Sequence, residues 1–258
     1  MKKVAFLLLT DKGFNREDIW VRFFDSKDIR WNLYVHSKQE PSSEWIKSRQ
    51  IPQKFKTQWA EFSLVKAQNA LLEKALKDRE NSVFVLISES HCPLYPISET
   101  IDELLELDLP IFSRPEGEDL EYRYKRSGFS EVTWLPKHNF SFSSQWWVFD
   151  RSTAKFFVQT KDSYEKWFRT TSFADEHYYK TLCNYAQIPF YEKDITYINW
   201  KLKTAENYSK FAKRSHPKTY FKVKPSFIRL LREKGCLFFR KVDSRTKIPI
   251  REIFNVKF

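Results

Sequence analysis

Two kinds of hydrophobic pattern alternate along the first half of the chain. Lys3–Thr10 and Val83–Ile87 are almost continuous apolar runs, the pattern of strands buried on both faces in a parallel sheet. Trp31–Ser37 is a third strand. Between them, Asn15–Ser26 sets Ile19, Phe23 and Phe24 on one helical face, and Ser63–Asp78 stripes Leu64, Ala67, Leu71, Ala75 and Leu76 along another. Ser63 is the expected cap of that helix. Glu40–Phe55 carries Pro41 and Pro52 and reads as irregular. Ser98–Leu107 reads as a helix opened by Ser98, with acids in its early turns. Strand and helix thus alternate over the first 110 or so residues, which predicts an α/β fold with an open, mostly parallel sheet flanked by helices.

The second half is less regular. Glu116–Tyr124 reads as a surface loop, Gln145–Phe149 as a strand, Thr153–Arg169 as a broken helix and Asp175–Ala186 as a helix. Ile195–Trp200 is a short strand, and Lys201–Tyr220 a basic, aromatic loop. Ser226–Lys234 is a helix closed by Gly235, and Leu237–Val242 a last strand. No repeat or low-complexity linker interrupts the chain, so residues 1–258 are expected to form a single domain.

Composition narrows the function classes. With 41% hydrophobic and 17% aromatic residues the chain can build a core. Four glycines, with no GxGxxG and no GxxxxGK[ST], argue against dinucleotide folds and phosphate-binding loops. A net charge of +12 favours an anionic partner: nucleic acid, an acidic membrane surface or a nucleotide-sugar diphosphate. Cys92, Cys183 and Cys236 form no CxxC pair, which argues against a disulfide framework or a zinc site and for a reducing compartment. The apolar run after Met1-Lys2-Lys3 is only Val4–Leu9. That is too short for a secretory leader or a membrane span, so a cytoplasmic location is expected.

Candidate chemistry concentrates in two stretches. Ser143-Ser144-Gln145-Trp146-Trp147-Val148-Phe149-Asp150-Arg151 reads as a strand dropping into a helix, and Ala174-Asp175-Glu176-His177-Tyr178-Tyr179 as a helix start with carboxylates at its mouth. Together they suggest a sugar-transfer site with one general base. Further pieces join them in order: Lys3-Val4-Ala5-Phe6-Leu7, Tyr34-Val35-His36-Ser37, Arg49 with Ile51-Pro52, and Trp59 before the Ser63 helix. Next come Phe84–Ser90 running into Pro93-Leu94-Tyr95, Thr196 with Trp200, His216-Pro217, and Phe239-Arg240-Lys241. In this order and spacing the chain resembles the core-2/I-branching β-1,6-N-acetylglucosaminyltransferases, glycosyltransferase family 14, from near Val4 to near Asp243.

The resemblance implies a GT-A-like fold that works without the Asp-x-Asp metal motif, and this sequence contains no Asp-x-Asp. It implies an inverting transfer from a UDP-sugar (N-acetylglucosamine, xylose or glucuronic acid) to a glycan hydroxyl, with no cofactor or metal required. Glu176 falls on the family's catalytic glutamate, and Asp175 beside it is expected to cap the helix. Lys241 and Lys218 fall where the family neutralises the leaving diphosphate. Without a metal, lysine or arginine must supply that positive charge. Val35, His36 and Ser37 at the end of the second strand are expected to meet the uridine, since ligands of open α/β sheets bind beyond the carboxyl ends of strands. Ser88, Glu89, Ser144, Trp146 and Trp200 are candidates for sugar or acceptor contact. Two departures stand out. Ser143 occupies a position that is usually glycine in the family, and the cysteines and membrane anchor of the animal enzymes are missing, which points to a bacterial, viral or cytosolic setting.

A second reading, from another class, is a non-catalytic basic module. Lys201–Lys224 interleaves Tyr208, Phe211, Tyr220 and Phe221 with basic residues, as in proteins that stack single-stranded nucleic acid. The transferase reading expects no nucleic-acid partner, and admits a peripheral contact with an acidic membrane.

Overall fold

The computed structural model describes residues 1–114, 120–200 and 217–254. Its strands are β1 (Lys3–Thr10), β2 (Trp31–Ser37), β3 (Asn81–Ser88), β4 (His91–Pro93), β5 (Ile111–Phe112), β6 (Val148–Asp150), β7 (Tyr191–Glu192), β8 (Thr196–Ile198), β9 (Tyr220–Lys222), β10 (Phe238–Arg240) and β11 (Val242–Lys247). Its helices are α1 (Glu17–Phe24), α2 (Glu44–Lys47), α3 (Ser63–Ala75), α4 (Ile97–Leu105), α5 (Leu120–Arg126), α6 (Arg151–Phe168), α7 (Tyr178–Tyr185), α8 (Pro225–Glu233) and α9 (Ile250–Phe254). The chain gathers into two compact units. The first is Met1–Gly13, Lys27–Glu89 and Ile101–Lys193; the second is Phe14–Ser26, Ser90–Thr100 and Asp194–Phe258.

The first unit is built on a six-stranded sheet in the order β2-β1-β3-β6-β5-β7. β1 lies between β2 and β3, parallel to both. Its apolar run is buried from Val4 to Leu8 because neighbours flank it on both edges and helices cover it. Each such side chain contributes about 1.5–3 kcal/mol. Helix α3 packs on β1, β2, β3 and α6. This is the mixed α/β sheet expected of a GT-A-like fold, with one feature the hydrophobic pattern did not carry: β6 runs antiparallel to both β3 and β5. Three residues leave no periodicity from which to read direction.

Local chemistry corrects several boundaries. Ser63 is the first helical residue of α3, not its cap; Phe62 holds the cap position, and the Ser63 hydroxyl accepts from the Gln58 N–H at 2.9 Å. The expected broken helix is one continuous α6 of 18 residues. Asp150 caps it by accepting from the N–H groups of Ser152 and Thr153, and Arg151 donates to the carbonyls of Leu76, Asp78 and Asn81. Part of the expected irregular segment Glu40–Phe55 folds as α2, and the end of the expected loop Glu116–Tyr124 lies in α5.

The second unit holds a three-stranded sheet, β4-β10-β8, and a β11-β9 pair. The expected last strand is two strands, β10 and β11. Ile19, Leu94, Ile228, Leu231, Phe239 and Ile253 are among its buried core. Gly235 ends α8 at φ 74°, a left-handed C-terminal turn that glycine adopts without a Cβ penalty. No helix among the described residues is long and apolar enough to cross a membrane.

Candidate active site

Parallel strands point their carboxyl ends the same way, and the register aligns several predicted residues there. Leu9 faces His36 on one side and Ser88 on the other, and Thr10 faces Ser37. Val35, His36, Ser37 and Ser88 are all buried, whereas Glu89, the next residue, is half-buried. A wall closes along β2: Val35 donates to the Arg49 carbonyl and accepts from Ile51, both at 2.9 Å. Ser37 accepts from the Gln50 side-chain amide. His36 Nε2 accepts from the Phe55 N–H at 2.9 Å, so its ring proton sits on Nδ1. That Nδ1 is buried, and burial outweighs a hydrogen bond to the residue's own backbone to lower the pKa of the ring.

The same unit brings together the two stretches that the sequence singles out. Phe173 takes a left-handed conformation, φ 58°, and donates to the carbonyl of Ala60, itself at φ 66°. For residues with a Cβ each such conformation costs about 1–2 kcal/mol. Phe173 starts a 3₁₀ turn, Ala174–Glu176, that precedes α7. Glu176 therefore lies in a tight turn rather than in the head of the expected helix. Its carbonyl accepts from the Ser143 N–H at 2.8 Å, which ties the turn to the Ser-Ser-Gln-Trp segment. Its carboxylate pairs with the Arg123 guanidinium at 2.7 Å, with the carboxylate side chain 27% exposed and the arginine 16%. Arg123 also lies over the Phe142 ring, 5.0 Å from its centroid.

The neighbours of Glu176 have different settings. Asp175 is buried, not a helix cap, and burial together with the charge of Glu176 raises its pKa well above the usual carboxylate range. His177 packs against Phe129, Phe140 and Phe168, and burial pushes its pKa down to about 4. Its Nε2 lies 3.2 Å from the Ser172 carbonyl, which assigns the ring proton to that nitrogen. Ser144 donates its N–H to Ser113 Oγ at 2.7 Å, while Ser144 Oγ and Gln145 Oε1 are buried with no partner among the described residues. Buried polar atoms are normally satisfied by protein or by ordered water. Trp146, only 4% exposed, sits in the interior.

Lys218, Lys241 and Trp200 belong to the second unit, where one backbone ladder groups them. Lys218 donates to the Asn199 carbonyl at 3.0 Å, Lys241 donates to the Lys218 carbonyl at 3.3 Å, and Tyr220 donates to the Lys241 carbonyl at 2.9 Å. Trp200, next to Asn199, is 49% exposed. The Lys218 ammonium lies 5.2 Å from the Tyr220 ring centroid. Beside it opens a cavity of about 630 Å³ lined by Lys218, Lys222, Lys224, Arg229, Tyr220 and Phe227 with four further residues. His216, and the basic loop from Lys201 with Tyr208 and Phe211, lie outside the described residues.

Sequence reasoning missed Arg123. It sits in a segment read as loop, and no local pattern links positions 53 apart in sequence. Among the described residues, no three His, Cys, Asp or Glu side chains form a group that could hold a metal ion.

Two comparisons bear on this arrangement. The chain is similar to a protein from Oryza sativa subsp. japonica named glycosyltransferase BC10, 25% identical over 256 residues that take in 84% of this chain and 62% of that protein. It thus spans less than two thirds of that relative's length. The profile of the Core-2/I-Branching enzyme family matches residues 4–232, which include Glu176, Lys218 and every candidate of the first unit. With a match over most of its length, the chain belongs to the Core-2/I-Branching enzyme family.

Proposed function

We propose that this protein is an inverting glycosyltransferase that moves a sugar from a UDP-sugar to a glycan hydroxyl without needing a metal ion. The observation that carries this reading is the tie between Ser143 and Glu176. It joins the turn that carries Glu176, whose carboxylate pairs with Arg123, to the segment that carries Ser144 and Gln145. In the step proposed, Glu176 takes the proton of the acceptor hydroxyl, whose oxygen forms a bond to C1 of the donor sugar. The bond from C1 to the diphosphate oxygen breaks, and UDP leaves with the electron pair. Lys218 and Lys241 are proposed to neutralise the charge on the diphosphate, as lysines do for phosphates as point charges. The donor sugar is one of N-acetylglucosamine, xylose or glucuronic acid. Cys92, Cys183 and Cys236 are buried and none is in a disulfide, which supports a reducing compartment.

Thermal melting with these three UDP-sugars in EDTA tests the reading. A ligand that binds the folded state raises Tm by mass action. One UDP-sugar is expected to raise Tm in EDTA for the wild type and for Glu176→Gln alike, with transfer lost in the variant. If none of them shifts Tm, the donor assignment fails. If the shift requires a divalent ion, metal independence fails.

The basic, aromatic-lined cavity of the second unit favours one alternative, an anionic-polymer module. That module predicts oligonucleotide binding that weakens steeply with salt and no response to UDP-sugars.

A further inference from the structure

Trp59 is 67% exposed although it is held in place. Its ring meets Phe173 edge-on, with centroids 5.2 Å apart and planes at 86°. On Phe173 itself lies the Arg126 guanidinium, 4.1 Å from the ring centroid. The clasp between Ala60 and Phe173, two residues in left-handed conformations joined by a 2.7 Å hydrogen bond, binds the residue after Trp59 to the start of the Glu176 turn. Helix α5 reaches both places at once. Arg123 pairs with Glu176, and Arg126, three residues on and therefore on a neighbouring part of the same helical face, covers Phe173. A lone exposed tryptophan is ordinary on a protein surface. Trp59 differs in being packed on Phe173, the residue that starts the turn carrying Glu176.

We propose that Trp59 is the stacking platform for a pyranose ring of the acceptor, in the subsite adjoining Glu176. The inference rests on the transferase reading and adds the chemistry of the acceptor: a sugar with one face of axial C–H groups to lay on the indole. Trp59 sets affinity and acceptor choice here; it transfers no proton.

Saturation-transfer NMR with methyl β-galactopyranoside, xylohexaose and cellohexaose, and with UMP as the nucleotide control, tests the platform. At least one saccharide is expected to receive saturation on its C–H protons from the wild type. That signal should fall about fivefold or more in Trp59→Ala and be partly restored in Trp59→Phe, as loss and return of an aromatic contact require. The UDP-sugar melting shift should persist in both variants, which also reports that they are folded. Equal saccharide signals in wild type and Trp59→Ala, no saccharide signal at all, or a Trp59-dependent signal from UMP instead would each overturn the proposal. A Trp59-dependent saccharide signal without any UDP-sugar shift would keep the platform and remove the transferase reading beneath it.

Discussion

The two units handle ionisable groups in opposite ways. In the first, the groups around Glu176 are taken out of water: Asp175 and His177 are buried, and each is displaced from its ordinary pKa toward its neutral form. In the second, the cations that line the cavity stay in water: Lys218, Lys222, Lys224 and Arg229 are exposed around it. The difference matches the two tasks that the proposed transfer assigns to them. Moving a proton depends on how an environment weights charged against neutral forms, which takes burial and close neighbours. Holding a diphosphate needs accessible positive charge, and a flexible lysine supplies it without burial.

The comparison is most sharply broken by exchanging the effects of the two sets. Glu176→Gln should lower turnover about 10²–10⁴-fold with little change in donor affinity. Lys218→Ala and Lys241→Ala should instead weaken donor binding, about tenfold each, as expected for a lost charge-assisted contact. Steady-state kinetics with the donor varied separates the two. A lysine variant that loses turnover alone, or a Glu176 variant that loses donor affinity alone, would reverse the assignment of the units.

A second effect lies in pH dependence and sharpens the burial argument. The folded pKa of His177 is about 4 against 6.5 for an ordinary histidine. Between these values the unfolded chain binds more protons, so stability is fully present above about pH 6.5 and declines as pH falls toward 4, by on the order of 3 kcal/mol. Urea unfolding across this range should show the slope in the wild type and a flatter one in His177→Phe, whatever the variant's absolute stability. Asp175 works in the other direction. Its raised pKa means that its contribution is present at low pH and is lost as pH rises above the usual carboxylate value. Asp175→Asn should therefore raise Tm at pH 7 by a few degrees, about what 1–2 kcal/mol yields for a chain of this size, with the gain shrinking near pH 4.

The smallest expected effect concerns the clasp. Ala60→Gly removes the left-handed penalty at φ 66° and adds unfolded-state entropy of similar size, so Tm should move by no more than the equivalent of about 1 kcal/mol. A large loss would mean that the Ala60 methyl packs in a way its exposure does not suggest.

Legibility followed the length of the pattern. β1, β2, β3 and α3 carry eight, seven, eight and 13 residues, and periodicity located all of them. β6 and the turn Ala174–Glu176 have three residues each, too few to fix direction or helix type from sequence. Of the candidate site, the Ser-Ser-Gln-Trp and Asp-Glu-His stretches and both lysines were visible as motifs, but not the partners that give them a setting. Arg123 on Glu176, Phe55 on His36 and Asn199 on Lys218 are contacts of 53, 19 and 19 residues' separation.

The amino-acid sequence alone therefore determined the α/β layering, the parallel core strands and the residue types available for transfer, because hydrophobic period and residue chemistry are local properties. Tertiary structure decided that β6 runs antiparallel, that Asp175 is buried while Glu176 meets Arg123, and that Trp59 stands exposed against Phe173. Those outcomes depend on which distant groups share a hydrogen bond or exclude water, and such pairings arise only once the chain has closed on itself.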